Sequence, residues 1–249
     1  MKNIFKLSIL GLGLALTLAS CSPEDPIGSK VTYYPLITVN GDDFMSVEEG
    51  GTFNDPGAVA TIGDEEVPVT TTYEGRFRGQ TYNSTLGTSV ADLYTASYAA
   101  TNEDGFDGVA TRTIYVGNTG DLVTSIEGLY RSTVTRNGAL TAQYTDMEYV
   151  LIWKNSDGTY EISDAFGGYY DLGRAYGVGY ITPGGVIVAN DIPTNNFSFP
   201  GTQYNSGFGA PSEITAMTVD PATNSIDLTV VWTTTTTYTF QIHLDQVQL

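Results

Sequence analysis

The sequence predicts an all-β protein built as two successive antiparallel modules, the first a β-sandwich and the second a β-sandwich or flattened barrel. Three observations carry this. No window beyond residue 30 sustains an i, i+3, i+4 apolar pattern for three helical turns. Thr, Val and Tyr alternate with other residues in short runs, the period of a pleated strand. Clusters of Gly, Asn and Asp interrupt those runs at the short intervals that hairpins require. The chain has 249 residues, 41% hydrophobic and 15% charged, which suffices for a packed core and fits one or two domains.

Residues 1–20 read as a secretory leader. Lys2 and Lys6 precede the apolar run Leu7–Leu18, and the small residues Ala19 and Ser20 follow. Twelve helical residues rise about 18 Å, short of the ~30 Å hydrocarbon core, so this segment is an address and not a permanent span. Residues 21–30 carry Pro23 and Pro26 among polar neighbours, cannot build a core, and read as a tether.

The first module is expected over residues 31–117. In Leu93–Thr101, Tyr94, Ala96, Tyr98 and Ala100 share one strand face, and Thr95, Ser97, Ala99 and Thr101 the other. Asn102–Gly108 supplies a turn, and Ala110–Val116 returns as the partner strand. A terminal hairpin of this kind closes immunoglobulin-like sandwiches. The second module is expected over residues 121–249. Its best helical candidate is a turn or so near Asp121–Glu127. Strands Glu148–Lys154 and Gly158–Ser163 flank the turn Asn155–Gly158. Asp220–Asn224 turns into Ile226–Trp232, Thr233–Thr237 continues extended, and Tyr238–Leu244 alternates again. Trp153 and Trp232 alternate with aliphatics and read as core.

The unusual stretch is Tyr160–Gly209, where ten aromatics and ten glycines accompany a single cation, Arg174. In Arg174–Ile181 a strand would place Tyr176, Val178 and Tyr180 on one face and leave Gly177 and Gly179 bare on the other, open to a ring or a second backbone. Two readings stay open. Tyrosine offers a flat apolar face and a hydroxyl, a match for sugar rings, and Tyr169, Tyr170, Tyr204, Asn205 and Phe208 lie in the most loop-like parts. Alternatively these rings fill the core of a small β module, and the glycines make tight turns.

The charge balance excludes other chemistry. A formal net charge of −18, more negative still once Lys2 and Lys6 leave, repels nucleic acid and anionic headgroups. One Cys allows no internal disulfide and one His no His-rich metal site. The acidic groups Asp42-Asp43, Glu48-Glu49, Asp64–Glu66 and Asn102–Asp107 lack an EF-hand spacing and read as solvated surface, with no metal site assigned. His243 sits in an alternating strand without a Gly-x-Ser-x-Gly element, so no catalytic residue is assigned and no cofactor is expected.

Five resemblances add to this. Leu18-Ala19-Ser20-Cys21 resembles the bacterial lipobox, which implies that Cys21 is lipidated, becomes the amino terminus and anchors the chain to a membrane. Ser22, where Asp would stand, is unlike the signal that keeps lipoproteins on the inner membrane, and the pair Glu24-Asp25 resembles the export signal of lipoproteins displayed on the outer surface. Pro35–Gly41, Val47–Ala58 with its Asp55-Pro56-Gly57-Ala58 element, the Tyr94/Tyr98 strand and Arg112–Val116 resemble bacterial Ig-like domains found in surface lipoproteins. The family's turn is shorter than Asn102–Gly108. The second module is similar to the carboxy-terminal domain that accompanies them. The whole arrangement resembles the binding lipoproteins of starch-utilisation-type systems. That implies a non-catalytic accessory protein, with polysaccharide and an outer-membrane transporter as partners and the Ig-like module as spacer. Two alternatives remain: a structural or protein-interaction subunit with no small ligand, and a weak glycosidase using two carboxylates.

Overall fold

The computed structural model describes residues 31–249, so the leader, Cys21 and the tether lie outside the described residues. The first module holds β1 (Leu36–Val39), β2 (Phe44–Val47), β3 (Ala58–Ile62), β4 (Glu65–Val67), β5 (Thr70–Gly75), β6 (Thr81–Asn83), β7 (Asp92–Thr101) and β8 (Asp107–Val116). A three-stranded sheet, β1-β3-β4, packs on a five-stranded sheet, β2-β8-β7-β5-β6, in which only β2 and β8 run parallel. This is an Ig-like sandwich. Tyr94, Ala96, Tyr98 and Ala100 are all buried along β7, as the alternation requires, and the first three pack with Tyr73, Ile114 and Val116. In the β7–β8 turn, Asn102 Oδ1 accepts the Phe106 N–H at 2.8 Å and Gly105 takes a φ of +84°.

The Asp55-Pro-Gly-Ala58 element has a packing reason. Arg112 is fully buried, and its guanidinium donates to Asp55 Oδ1 at 2.8 Å and to the carbonyls of Asp42 and Asn40. Asp55 also accepts the Tyr73 and Tyr98 hydroxyls at 2.7 and 2.8 Å and the Gly57 N–H at 2.8 Å. Burial pushes the Asp55 pKa up, but these hydrogen bonds and the Arg112 charge outweigh it and hold the carboxyl below its ordinary value.

The second module holds β9 (Gly128–Arg136), β10 (Met147–Lys154), β11 (Tyr160–Ile162), β12 (Gly185–Asp191), β13 (Asn196–Ser198), β14 (Gln203–Tyr204), β15 (Pro211–Asp220), β16 (Ser225–Thr233) and β17 (Thr237–Gln246). They form one antiparallel nine-stranded sheet in the order β13-β12-β11-β10-β9-β17-β16-β15-β14. Its two edges, β13 and β14, are consecutive in the chain and joined by residues 199–202 alone. So short a link spans less than ~18 Å, and the sheet must curl until its edges approach. The second module is thus a single curled sheet that stops short of closing, between the sandwich and the barrel of the sequence expectation. Trp153 and Trp232 are both buried.

Three local expectations need correction. Asp121–Glu127 forms no helical turn: Leu122 stands at φ +58°, and Asp121 Oδ1 accepts the N–H groups of Val123, Thr124 and Ser125, a side-chain turn that competes with a helix. Thr233–Thr237 is not an extended continuation. Strand β16 ends at Thr233, and Thr234 Oγ1 bonds to Thr236 O at 2.7 Å inside the hairpin turn. Arg174–Ile181 is not a strand, because Ala175 at φ +55° and Gly177 at φ +84° fold it back before a 3-10 turn over Val178–Tyr180.

The modules share an apolar seam. Ala91, Leu93 and Tyr115 of the first pack with Leu129, Leu151 and Trp153 of the second, and the rings of Phe44 and Tyr149 meet at 5.7 Å. Arg78 covers the Trp153 ring at 5.0 Å, and Arg76 Nη2 reaches both carboxylate oxygens of buried Asp171 at 2.7 Å.

Candidate functional site

The Gly-rich segment that follows β11 is organised from below by Asp164. This buried carboxylate accepts the N–H groups of Phe166, Gly168 and Thr182 at 2.9, 3.0 and 2.9 Å, tying both ends of the segment together. Burial pushes its pKa up to about 6 against the pull of those three donors. Gly167, at φ +63°, lies where a Cβ would stand 2.6 Å from Ile242 Cγ2, so only glycine lets the backbone cross the sheet this closely. A single π-helical turn over Tyr169–Gly173 follows, closed by Gly173 N–H to Gly168 O and Arg174 N–H to Tyr169 O.

That turn drives Tyr169 and Tyr170 inward, to 3% and 6% exposure. Tyr169 stacks on Tyr144 with centroids 4.0 Å apart. Tyr170 meets Phe208 at 5.0 Å and Trp232 at 5.8 Å, both edge-to-face, and forms a floor. Above it the chain doubles back so that Tyr176 lies parallel to Tyr170 at 6.3 Å, Tyr180 meets Tyr176 at 5.0 Å, and Phe208 meets Tyr180 at 5.2 Å. Tyr176 and Phe208 are each 48% exposed and Tyr180 is half-buried. The result is an exposed aromatic shelf on a buried aromatic base.

Asn205 is the staple. Its Nδ2 donates to Tyr180 O at 2.5 Å and to Thr182 Oγ1 at 3.1 Å, while its Oδ1 accepts the N–H groups of Gly207 and Phe208. Buried and satisfied, it joins the Phe208 loop to the Tyr180 turn. Of the five residues singled out by sequence, Phe208 alone sits in the shelf with an exposed face. Tyr170 and Asn205 lie beneath it, Tyr169 lies deeper, and Tyr204 is 55% exposed on edge strand β14, outside the described ring cluster. Tyr169, Tyr170 and Tyr204 therefore line no common exposed groove. Tyr176 and Tyr180 are the shelf residues that sequence reasoning missed. The signal was present in Gly177, whose positive φ permits the fold-back that a strand reading hid.

Two cations pack against the aromatic base beneath the shelf. Arg136 lies 5.0 Å from the Tyr169 ring centroid and 5.1 Å from that of Tyr238, and its Nη1 donates to the Tyr170 hydroxyl at 3.2 Å. Arg174 lies 5.8 Å from the Tyr169 centroid. Elsewhere, His243 on β17 is bracketed by Asp227 at 2.8 Å and Asp245 at 3.3 Å. Partial burial disfavours its charged form, but the two carboxylates prevail and hold its pKa above the ordinary value. Both ring nitrogens are thus turned to carboxylates, an arrangement unlike that of a base waiting on a nucleophile. Among the described residues no group of three or more His, Cys, Asp or Glu side chains is gathered as metal ligands would be, and no helix is long and apolar enough to cross a membrane.

Comparison with known proteins agrees with this architecture. Residues 37–116 match the family model of a bacterial surface protein Ig-like domain. Residues 119–246, more than half the chain, match the model of the BT2262-like C-terminal domain. The crystal structure of the lipoprotein BT2262 from Bacteroides thetaiotaomicron is similar at 27% identity and a TM-score of 0.61, over 86% of this chain and 100% of that one. No curated protein matches. A surface-protein domain and a lipoprotein neighbour both point to the bacterial cell surface. By the match over residues 119–246, this chain belongs to the family of the BT2262-like C-terminal domain, carried behind a bacterial surface Ig-like domain.

Proposed function

We propose that this protein is a non-catalytic accessory lipoprotein that binds glycan on the aromatic shelf of its C-terminal module, with the Ig-like module as spacer. The single observation that carries the reading is the exposed Tyr176–Tyr180–Phe208 surface seated on buried Tyr170 and Trp232. Rings held this firmly lose little freedom when a sugar face stacks on them, and the Tyr176 and Tyr180 hydroxyls meet its polar edge. In the same reading Cys21 carries the lipid anchor, the chain faces outward from the outer membrane, and a transporter works beside it. The test is affinity electrophoresis of the chain from Ser22 onward through a panel of polysaccharides. At least one polymer is expected to retard it, and Tyr176→Ala/Phe208→Ala is expected to abolish the retardation while the circular dichroism stays unchanged. A folded wild-type protein that no polysaccharide retards sinks the reading.

A protein-interaction role is the second reading, favoured by a different observation. Tyr33, Tyr34, Leu36, Phe106 and Val109 stand exposed together at the tether end of the Ig-like module, with the Tyr34 and Phe106 rings 5.3 Å apart. Stoichiometric recovery of one partner that Tyr34→Ser/Phe106→Ser abolishes would favour it.

A further inference from the structure

The protein carries a formal charge of −18, so a cation without a carboxylate beside it is unexpected. Among the described residues Arg76, Arg112 and Arg131 are ion-paired, while Arg78 and Lys154 are exposed to solvent. Arg136 and Arg174 are the half-buried pair that make no ion pair, and both pack against Tyr169 under the rim of the shelf. Arg174 Nε is shut off from solvent and has no hydrogen-bond acceptor, although a buried donor left unmet costs about 1–3 kcal/mol. Burial raises the Tyr170 pKa, and both guanidiniums lie near enough to its hydroxyl to pull against that rise. Arg174 also acts on the Tyr176 hydroxyl, which belongs to the shelf itself.

Aromatic faces stabilise a guanidinium by about 0.5–2 kcal/mol each but satisfy none of its N–H groups. Neutral tyrosine hydroxyls accept from both guanidiniums, Tyr170 from Arg136 and Tyr169 and Tyr176 from Arg174. What the pair lacks is an anion, and a planar guanidinium fork fits a carboxylate or sulfate oxygen pair. We propose that the sugar bound on the shelf carries an anionic substituent, a uronate carboxylate or a sulfate ester, received by Arg136 and Arg174. This rests on the glycan-binding reading and narrows its substrate class. The net charge narrows it further. Beyond a Debye length of about 8 Å the surface repels a dense polyanion, whereas a single acidic group between the two arginines feels their local field. The ligand is therefore a glycan with sparse acidic residues.

The test follows the arginine Nε–H signals of the 15N-labelled chain from Ser22 onward, assigned with Arg136→Gln and Arg174→Gln. Sodium glucuronate, glucose 6-sulfate, glucose, and sodium chloride at matched ionic strength are titrated separately. Glucuronate or glucose 6-sulfate is expected to shift both signals saturably and to bind about tenfold more tightly than glucose, while chloride leaves them in place. The two acidic arms separate carboxylate from sulfate recognition. If neither acidic sugar moves either arginine signal, the proposal is overturned, whatever glucose does. The Tyr176 and Phe208 ring signals report separately on the shelf: rings that respond to glucose while the arginines ignore both acids leave the glycan reading standing and remove the anionic class.

Discussion

Arg112 has no exposed surface, and a guanidinium so placed is tolerable only when its donors are met. Asp55 supplies the opposite charge and also gathers the hydroxyls of Tyr73 and Tyr98, so one carboxylate joins the loop before β3 to β5, β7 and β8. Asp55→Ala is expected to destabilise the chain by about 3–5 kcal/mol in urea unfolding, because it strands a buried cation. The pH sign follows from the depressed pKa. Asp55 stabilises the fold above its unfolded value of 3.8, and that contribution is lost as pH falls through the lower folded value. His243 behaves oppositely. Its raised pKa means that its contribution is full below 6.5 and disappears as pH rises through the folded value. An NMR titration of this single histidine is expected to give a midpoint above 6.5 that falls toward it in Asp227→Asn.

At the scale of the element, the segment from Asp164 to Thr182 has little regular hydrogen bonding and depends on specific side chains for its shape. Asp164→Ala would leave three backbone N–H groups buried and unmet, and a loss of about 3 kcal/mol or more is expected in thermal unfolding, even with partial relaxation. Gly167→Ala adds a methyl group against Ile242, Ser132 and Val134 at a backbone angle disfavoured for alanine, with an expected cost of about 2–4 kcal/mol. Both variants are expected to alter Trp232 fluorescence, since that ring rests against Phe166 and Tyr170. The strands were legible in sequence because a two-residue period and Asn/Gly turns are local properties: β7, β8 and the β10–β11 hairpin lie where alternation puts them. The Arg174–Ile181 fold-back was not, because alternating Tyr and Gly satisfies a strand pattern and a chain of tight turns equally well.

At the scale of the molecule, the seam joins the modules through apolar packing and one charge pair whose carboxylate is buried. Asp171 belongs to the π turn that places Tyr170, so Arg76 of the Ig-like module bears on the floor of the shelf in the other module. The wild-type chain is expected to unfold in one cooperative calorimetric transition. Arg76→Ala leaves buried Asp171 unpaired and is expected to lower that transition by several degrees and broaden it toward two steps. The two tryptophans report separately. Trp153 sits in the seam and Trp232 at the shelf, so Trp153→Phe and Trp232→Phe variants follow each region alone.

Composition, periodicity and turn chemistry by themselves determined the all-β class, the Tyr94/Tyr98 core face and the burial of both tryptophans. Each depends on neighbours within a few residues or on the average cost of exposing apolar surface. Only the tertiary structure decided which tyrosines are core and which are surface. Tyrosine is content on either side of that boundary, and its side is set by what packs across it: Trp232, Phe240 and Tyr144 cover Tyr169 and Tyr170, while nothing in the described chain covers the outer faces of Tyr176 and Phe208. The pairing of Arg136 with Arg174 about one ring was likewise invisible, since thirty-eight positions separate them and only the crossing of the Asp164–Thr182 segment over the sheet brings them together.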